Sequence, residues 1–398
     1  MESKSPYTHF TDVLEDGDGS LLVIDTGGWF LYGCPTSSIE RPEVKGAIYR
    51  IRRQGAAPAP PDPYGLEIDL QGNPDRQWAQ YLDDSRFKVR DRVIQAFGAH
   101  RENAIPTLAS AVQESHSAQA RRNAIWALTR IDSSTAREAV RTGLNDLDAS
   151  VRLTAARSIS TWRDREALTR LLVMVTTETS PIRRECATAL GRIGEPSAIP
   201  FLLKSLETAA LQPFLEHALI YALIELDEPA ITRVGLRSSN PNVQRGSLIA
   251  LDQMREGRLI AEQLAPFLAA DDRPLRTQAV RIATRRQWSG LMIPQLKSAL
   301  AEPNPDALQH LSEVLLAFGQ DAKIQKLISD SLQRAGDCRE GTPVFNQDTN
   351  PCGRFFPNTA PPWVHSGCAS FWNPRESSFP LGKPRCRGDW PRSMDPRN

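Results

Sequence analysis

The sequence predicts a mainly α protein: an α-solenoid of about eight helix pairs, preceded by a short β segment and followed by an irregular tail. Three observations carry this prediction. An apolar run of the form V-R-x-x-A-x-x-A-L returns every 31 residues, with Val89-Arg90, Ala120-Arg121, Val151-Arg152 and Ile182-Arg183 at identical spacing. A second phrase, AIPTL at 104–108, AIPFL at 198–202 and MIPQL at 292–296, returns every 94 residues, close to three steps of the first. Within each run the apolar residues fall at positions 1, 5, 8 and 9, the stripe of one helix face (Val151, Ala155, Ser158, Ile159). A fixed period of this size marks stacked units, because one helix pair cannot bury its apolar face alone.

Residues 1–53 read as β. SLLVIDTGGW (20–29) is apolar and β-branched and follows the turn-rich EDGDG (15–19), and GAIYRIRR (46–53) alternates in polarity. Two or three strands do not make a stable sheet alone, so this region is expected to pack on the next domain or to belong to something larger. Residues 54–65 form a Pro-rich linker; GAAPAPPDPYG (55–65) holds four prolines in eleven residues. Proline fixes φ and has no N–H, so the linker is expected to be semi-rigid.

Residues 66–335 carry the repeats. The V-R runs are VRDRVIQAF (89–97), ARRNAIWAL (120–128), VRLTAARSI (151–159) and IRRECATAL (182–190). Looser copies follow at 215–223, 243–251 and 275–283, and a poor one near Ala307–Leu315. Each run is one helix of a pair, and the I-P phrase opens the other. Proline fits there because the first helical turn has no use for its missing N–H. Residues 336–398 break the pattern, with ten prolines, four cysteines and three residues among Ile, Leu and Val. Such a segment buries too little aliphatic surface to offset chain entropy, and is expected to be disordered or translated out of frame.

IRRECATALGRIGEPSAIPFLLKSLE (182–207) resembles the short HEAT-like repeat of the phycobilisome-lyase type. That resemblance implies antiparallel helix pairs, the V-R helix on the concave face and its arginine in an inter-repeat ladder with acidic residues. FTDVLEDGDGSLLVIDTGGWFLYGCPTSSIERPEVKGAIYRIRR (10–53) is similar to the last β-propeller blade of bacterial membrane-bound, sorbosone-type sugar dehydrogenases, in which HEAT-like repeats and a cytochrome c domain follow. This second resemblance implies an internal fragment of an exported oxidoreductase, inactive by itself, since the earlier blades and a C-x-x-C-H haem attachment site are missing from these 398 residues.

The candidate sites are few. Asp16-Gly17-Asp18-Gly19 lacks the remaining acidic ligands of a calcium loop and reads as a tight turn. Arg90, Arg121, Arg152, Arg183 and Arg276 read as a structural ladder, because Asp83, Asp84, Asp146, Asp148, Glu178, Asp271 and Asp272 recur just upstream at a distance suited to capping and pairing between units. Position 7 of the V-R helices lies off the buried stripe and holds Gln95, Trp126, Arg157, Thr188, Tyr221, Ile249 and Arg281. A row with Trp, Tyr and Arg has the composition of a binding hot spot, so it is the candidate partner surface. Cys186 lies mid-helix beside the stripe as a small core residue. The six histidines and six cysteines show no metal-binding spacing, and there is no P-loop, G-x-S-x-G or G-x-G-x-x-G. No catalytic residue, cofactor or metal site is expected.

A net charge of +1 gives no global field toward nucleic acid or membrane. No apolar run is long enough to span a bilayer. The N-terminus lacks the apolar stretch of a signal peptide, so the chain as written is expected in the cytoplasm. The function expected first is a non-catalytic scaffold with a protein partner. The alternatives are the inactive dehydrogenase fragment, and a phycobilin-lyase-like or nucleic-acid-binding repeat protein.

Overall fold

The computed structural model describes residues 9–27, 45–55, 58–74, 76–209, 212–255, 259–301, 318 and 321–340. They fall into two compact units, 1–291 and 292–398.

The first unit begins with strands β1 (Phe10–Glu15), β2 (Leu21–Asp25) and β3 (Ala47–Ile51), antiparallel in that order. Val13 pairs with Val23, and Val23 with Tyr49. The turn from β1 to β2 is closed by the Asp16 amide on the Ser20 carbonyl at 2.8 Å, with Gly19 at φ 76°. That left-handed φ suits glycine, which has no Cβ to clash. The two turn carboxylates face side chains. Asp16 accepts from the Tyr64 hydroxyl at 2.5 Å and pairs with Arg50 at 2.6 Å, while Asp18 pairs with Arg52 at 2.6 Å. The Tyr64 hydrogen bond, then Arg50 and the Gly17 amide, hold the Asp16 carboxyl down at about 2.

The same contacts anchor the end of the Pro-rich segment. Tyr64 ties it to the sheet, and Asp62 accepts from the Leu66 and Glu67 amides. Arg86 donates to the Asp62 carbonyl at 2.9 Å, and Arg92 donates to the Gly65 carbonyl. The C-terminal end of this proline-stiffened strap, Asp62 to Gly65, is thus bonded both to the sheet and to the first repeat.

After the short α1 (Arg76–Gln80), helices come in pairs: α2 (Phe87–Ala99) with α3 (Ile105–Glu114), α4 (Ala118–Thr129) with α5 (Ser134–Thr142), and α6 (Ala149–Trp162) with α7 (Leu168–Thr177). Then follow α8 (Ser180–Ile193) with α9 (Ile199–Leu206), α10 (Pro213–Leu226) with α11 (Pro229–Thr232), α12 (Pro241–Gln253) with α13 (Ala261–Leu264), and α14 (Arg273–Arg285). The V-R runs are the first helices and pack in sequence, α2 on α4, α4 on α6, and so on to α14. Four of them are capped at their starts by a side chain that accepts from a first-turn amide: Ser117 from Ala120 N, Asp148 from Ser150 N, Asn240 from Asn242 N and Asp272 from Leu275 N. Such caps satisfy amides that have no partner within the helix.

Val151, Ala155, Ser158 and Ile159 are all buried, as are Ile182, Cys186, Ala189 and Leu190 in the next unit. Each fully buried Leu or Ile contributes about 2 kcal/mol by removal from water, so this seam supplies the main cohesion between units. At Gly191 the backbone of α8 packs directly on α10; a Cβ there would sit 2.9 Å from the Ala222 Cα. The I-P phrases open α3 and α9 with proline in the first turn. The second helices α11 and α13 shrink to four residues and continue as 3-10 turns.

The second unit contributes α15 (Ile293–Ala301), opened by the third I-P phrase, and α16 (Ala322–Glu340). Helix α16 runs five residues past the expected start of the tail at 336; residues 341–398 and the poor repeat near 307–315 lie outside the described residues. Among the described residues no helix is long and apolar enough to cross a membrane.

Candidate protein-binding face

Position 2 of the first helices shows what the repeat arginines do. Arg90 donates to the Asp84 carbonyl at 2.6 Å, Arg121 to the Ser115 carbonyl at 2.8 Å, Arg152 to the Asp146 carbonyl at 2.8 Å, and Arg276 to the Ala270 carbonyl at 2.5 Å. In each case the acceptor lies six residues back, on the loop that enters the helix. Gln244 makes the same bond to Ser238 at 2.7 Å without a charge.

The acidic partner comes from the next unit. Arg121 forks onto both oxygens of Asp146 at 2.7 and 2.9 Å, and Arg152 onto both oxygens of Glu178 at 2.8 and 2.9 Å. Burial pushes the Asp146 carboxyl up, but the Arg121 hydrogen bond and the Asp148 amide outweigh it and hold it below the usual range.

Arg183 departs from the expected pairing with acidic residues. Glu178 is already engaged by Arg152, and Arg183 turns inward to the Val175 carbonyl at 3.0 Å, the Ser205 carbonyl and hydroxyl at 2.7 Å and the Thr208 hydroxyl at 3.0 Å. It is buried, and burial lowers its pKa. Arg90 and Arg276 likewise bond to carbonyls and form no ion pair among the described residues. The ladder is therefore ionic at two rungs, Arg121 and Arg152.

Position 7 points elsewhere. Gln95, Arg157, Tyr221 and Arg281 are exposed, and Trp126, Thr188 and Ile249 are half-buried. The row does not form one continuous groove. At one end Gln95 and Trp126 line a separate recess of about 630 Å³ with Asp91 and Asn123. In the middle, Arg157 and Arg184 both reach Glu185, at 4.0 and 3.1 Å, so charge is neutralised locally around Thr188. At the other end Tyr221, Ile249 and Arg281 share a groove of about 540 Å³ across α10, α12 and α14.

That groove contains residues the position-7 pattern missed. His217 lies four residues before Tyr221, its ring stacked on the Tyr221 ring with centroids 6.2 Å apart. Glu216 takes the position where five of the other helices carry the ladder arginine, and Arg245 on α12 reaches its Oε1 at 2.6 and 3.0 Å. Arg273 completes the rim. The available signal was helical: position 3 lies one turn before position 7, so both rows share one face.

Chemical groups suited to catalysis are scarce. Among the described residues no group of three His, Cys, Asp or Glu could hold a metal ion. Cys186 is buried, and burial, with Glu178 and Glu185 nearby, raises its thiol pKa. A raised pKa suppresses the thiolate that would act as nucleophile.

The stacked helix pairs define a helical-repeat solenoid. HEAT repeats are found at residues 76–146 and 138–224. The matched residues thus stop inside α10, at the edge of the groove. No curated protein matches the chain.

Similar solved structures include the complex of CpcE and CpcF of phycocyanin lyase from Nostoc sp. PCC7120, 20% identical over 62% of this chain and 97% of that one, with a TM-score of 0.32. Human deoxyhypusine hydroxylase in complex with glycerol is 19% identical over 62% of this chain and 96% of that one, TM-score 0.26. An engineered protein is 16% identical over 54% of this chain and 97% of that one, TM-score 0.32. None of these matches supports the propeller or dehydrogenase resemblance.

Proposed function

We propose that this chain is a non-catalytic interaction scaffold that holds a protein partner on positions 3 and 7 of its first helices. The observation that carries this reading is the division of labour along each helix. Positions 1, 5, 8 and 9 pack the core and position 2 ties the loops. Positions 3 and 7 do neither consistently, yet carry Trp126, His217, Tyr221 and Arg281. Solenoids present long surfaces because each unit contacts only its neighbours. Affinity capture from a lysate with wild type and with the Trp126→Ala, Tyr221→Ala double variant tests the reading. Loss of the retained proteins with an unchanged helical melt supports it, and identical retention overturns it.

A second reading is favoured by one observation in the sheet. Phe10, Val13, Leu21, Tyr49 and Ile51 on one side of the strands and Leu14 and Ile48 on the other are all exposed. A sheet apolar on both faces suits cover on both, as a propeller blade has between its neighbours. On this reading the strands belong to the propeller of a dehydrogenase-like assembly, and the repeats connect rather than react. Amide exchange at Leu22–Ile24 tests it: rapid exchange in the isolated protein supports the need for further cover, and protection approaching that of α8 overturns it.

A further inference from the structure

The groove across α10, α12 and α14 differs from the rest of the face in its charge. It holds three arginines, Arg245, Arg273 and Arg281, and one carboxylate, Glu216. Arg245 and Glu216 satisfy each other. Arg273 and Arg281 are exposed and form no ion pair among the described residues, although the neighbouring Arg285 and Arg286 are both held by Asp252. The apolar part of the same lining, its floor, is formed by Ile220, Ile224 and Ile249, together with the exposed Tyr221 ring.

We infer that this groove binds an acidic segment of a partner protein, with an aliphatic or aromatic side chain of that segment on the Ile220–Ile224–Ile249 floor and its carboxylates on Arg273 and Arg281. The inference rests on the scaffold reading and supplies its partner chemistry. Arg273 and Arg281 lie eight residues apart on α14, about 12 Å along the axis. That spacing suits two carboxylates flanking a central anchor. Guanidinium groups favour carboxylates through paired, charge-assisted hydrogen bonds. A nucleic-acid strand is disfavoured by the same face. The arginines at positions 3 and 4 of the earlier helices are already engaged, Arg92 by the Gly65 carbonyl, Arg122 by the Ser150 hydroxyl and Arg184 by Glu185, so they do not extend a free basic track beyond the groove. A phosphate chain needs a run of such contacts to bind well.

The test uses the full chain and an array of 12-residue peptides in which two Asp or Glu flank a Leu, Phe or Trp at varied spacing. Each peptide is paired with a copy in which Lys replaces the acids, and a 20-nucleotide single-stranded DNA serves as competitor. Acidic peptides are expected to bind better than their lysine copies, and to weaken about tenfold with Arg281→Glu and with Arg273→Glu. The Arg273→Glu, Arg281→Glu double variant is expected to prefer the lysine copies, a reversal that a folding defect would not produce. Binding of acidic and lysine peptides alike, the absence of any binding peptide, or displacement by the DNA at lower concentration than by unlabelled acidic peptide overturns the inference. If the Trp126, Tyr221 variant still loses captured proteins in that event, the scaffold reading stands and only the partner chemistry falls.

Discussion

The four strict repeats and the repeats that follow them are made of the same helix used in two ways. In α4 and α6 the position-2 arginines reach forward to an acid of the next unit, and in the α6–α8 stretch the surface charge is settled by Glu185. In α10 position 2 is Glu216, in α12 it is Gln244, and the second helices have shortened to single turns. The strict part directs its polar groups at itself. The irregular part leaves arginines and an aromatic ring facing outward. Regular spacing and self-satisfaction go together because a rung needs its partner at a fixed offset, and departures from the period free side chains for other uses.

The largest effects should come from the strict part. Replacing Gly191 with Val forces the α8 and α10 backbones apart and should cost about 3 kcal/mol in urea unfolding. Arg183→Met should cost about 2 kcal/mol, because the Val175 and Ser205 carbonyls lose a donor inside the core. A loss below half of these values would mean that the two parts are not as differently packed as described. Next in size, Arg152→Ala should cost about 1–2 kcal/mol, since it removes a forked, half-buried ion pair and a loop tie. Arg276→Ala removes the loop tie alone and should cost less than about 1 kcal/mol. Equal losses for the two would erase the distinction between ionic and carbonyl rungs.

Acid should act on the strict part and on the contact of the sheet with the strap before it. Asp146 and Asp16 have folded-state pKa values below the ordinary carboxylate range. A depressed folded-state pKa adds stability that is complete above the unfolded pKa of about 4 and is lost as pH falls through the folded value. Stability should therefore fall below pH ~4, for Asp16 down to about pH 2, and the Asp146→Asn variant should fall less steeply than wild type. An identical slope in both would remove Asp146 from the account. The smallest effect belongs to the irregular part: Tyr221→Ala should change unfolding by less than about 0.5 kcal/mol, as an exposed side chain away from the core. A loss above 1.5 kcal/mol would assign Tyr221 to packing and weaken the binding face.

Much of this was legible along the chain. The 31-residue step located α2, α4, α6 and α8, and the buried stripe followed from helical geometry, because both depend on residues within one turn or one period of each other. Three features were hidden. One is the anchoring of the Pro-rich strap, since nothing local to 58–65 shows Tyr64 meeting Asp16 across 48 residues. Arg183 looked like a rung equal to Arg152, since the sequence does not show that Glu178 has one acceptor pair and that Arg152 occupies it. The groove looked like part of a single row, because position 7 alone does not reveal Arg245 cancelling Glu216 while Arg273 and Arg281 stay free.

The sequence by itself determined the unit: where each first helix lies, which stripe it buries and how often it returns. These are set by backbone periodicity and the removal of apolar surface from water, both of which are written locally. Tertiary structure alone decided which charges cancel. An ion pair depends on which of several candidate partners arrives within about 3 Å, and in a stack of similar units that choice is made by the packing of one helix pair on the next.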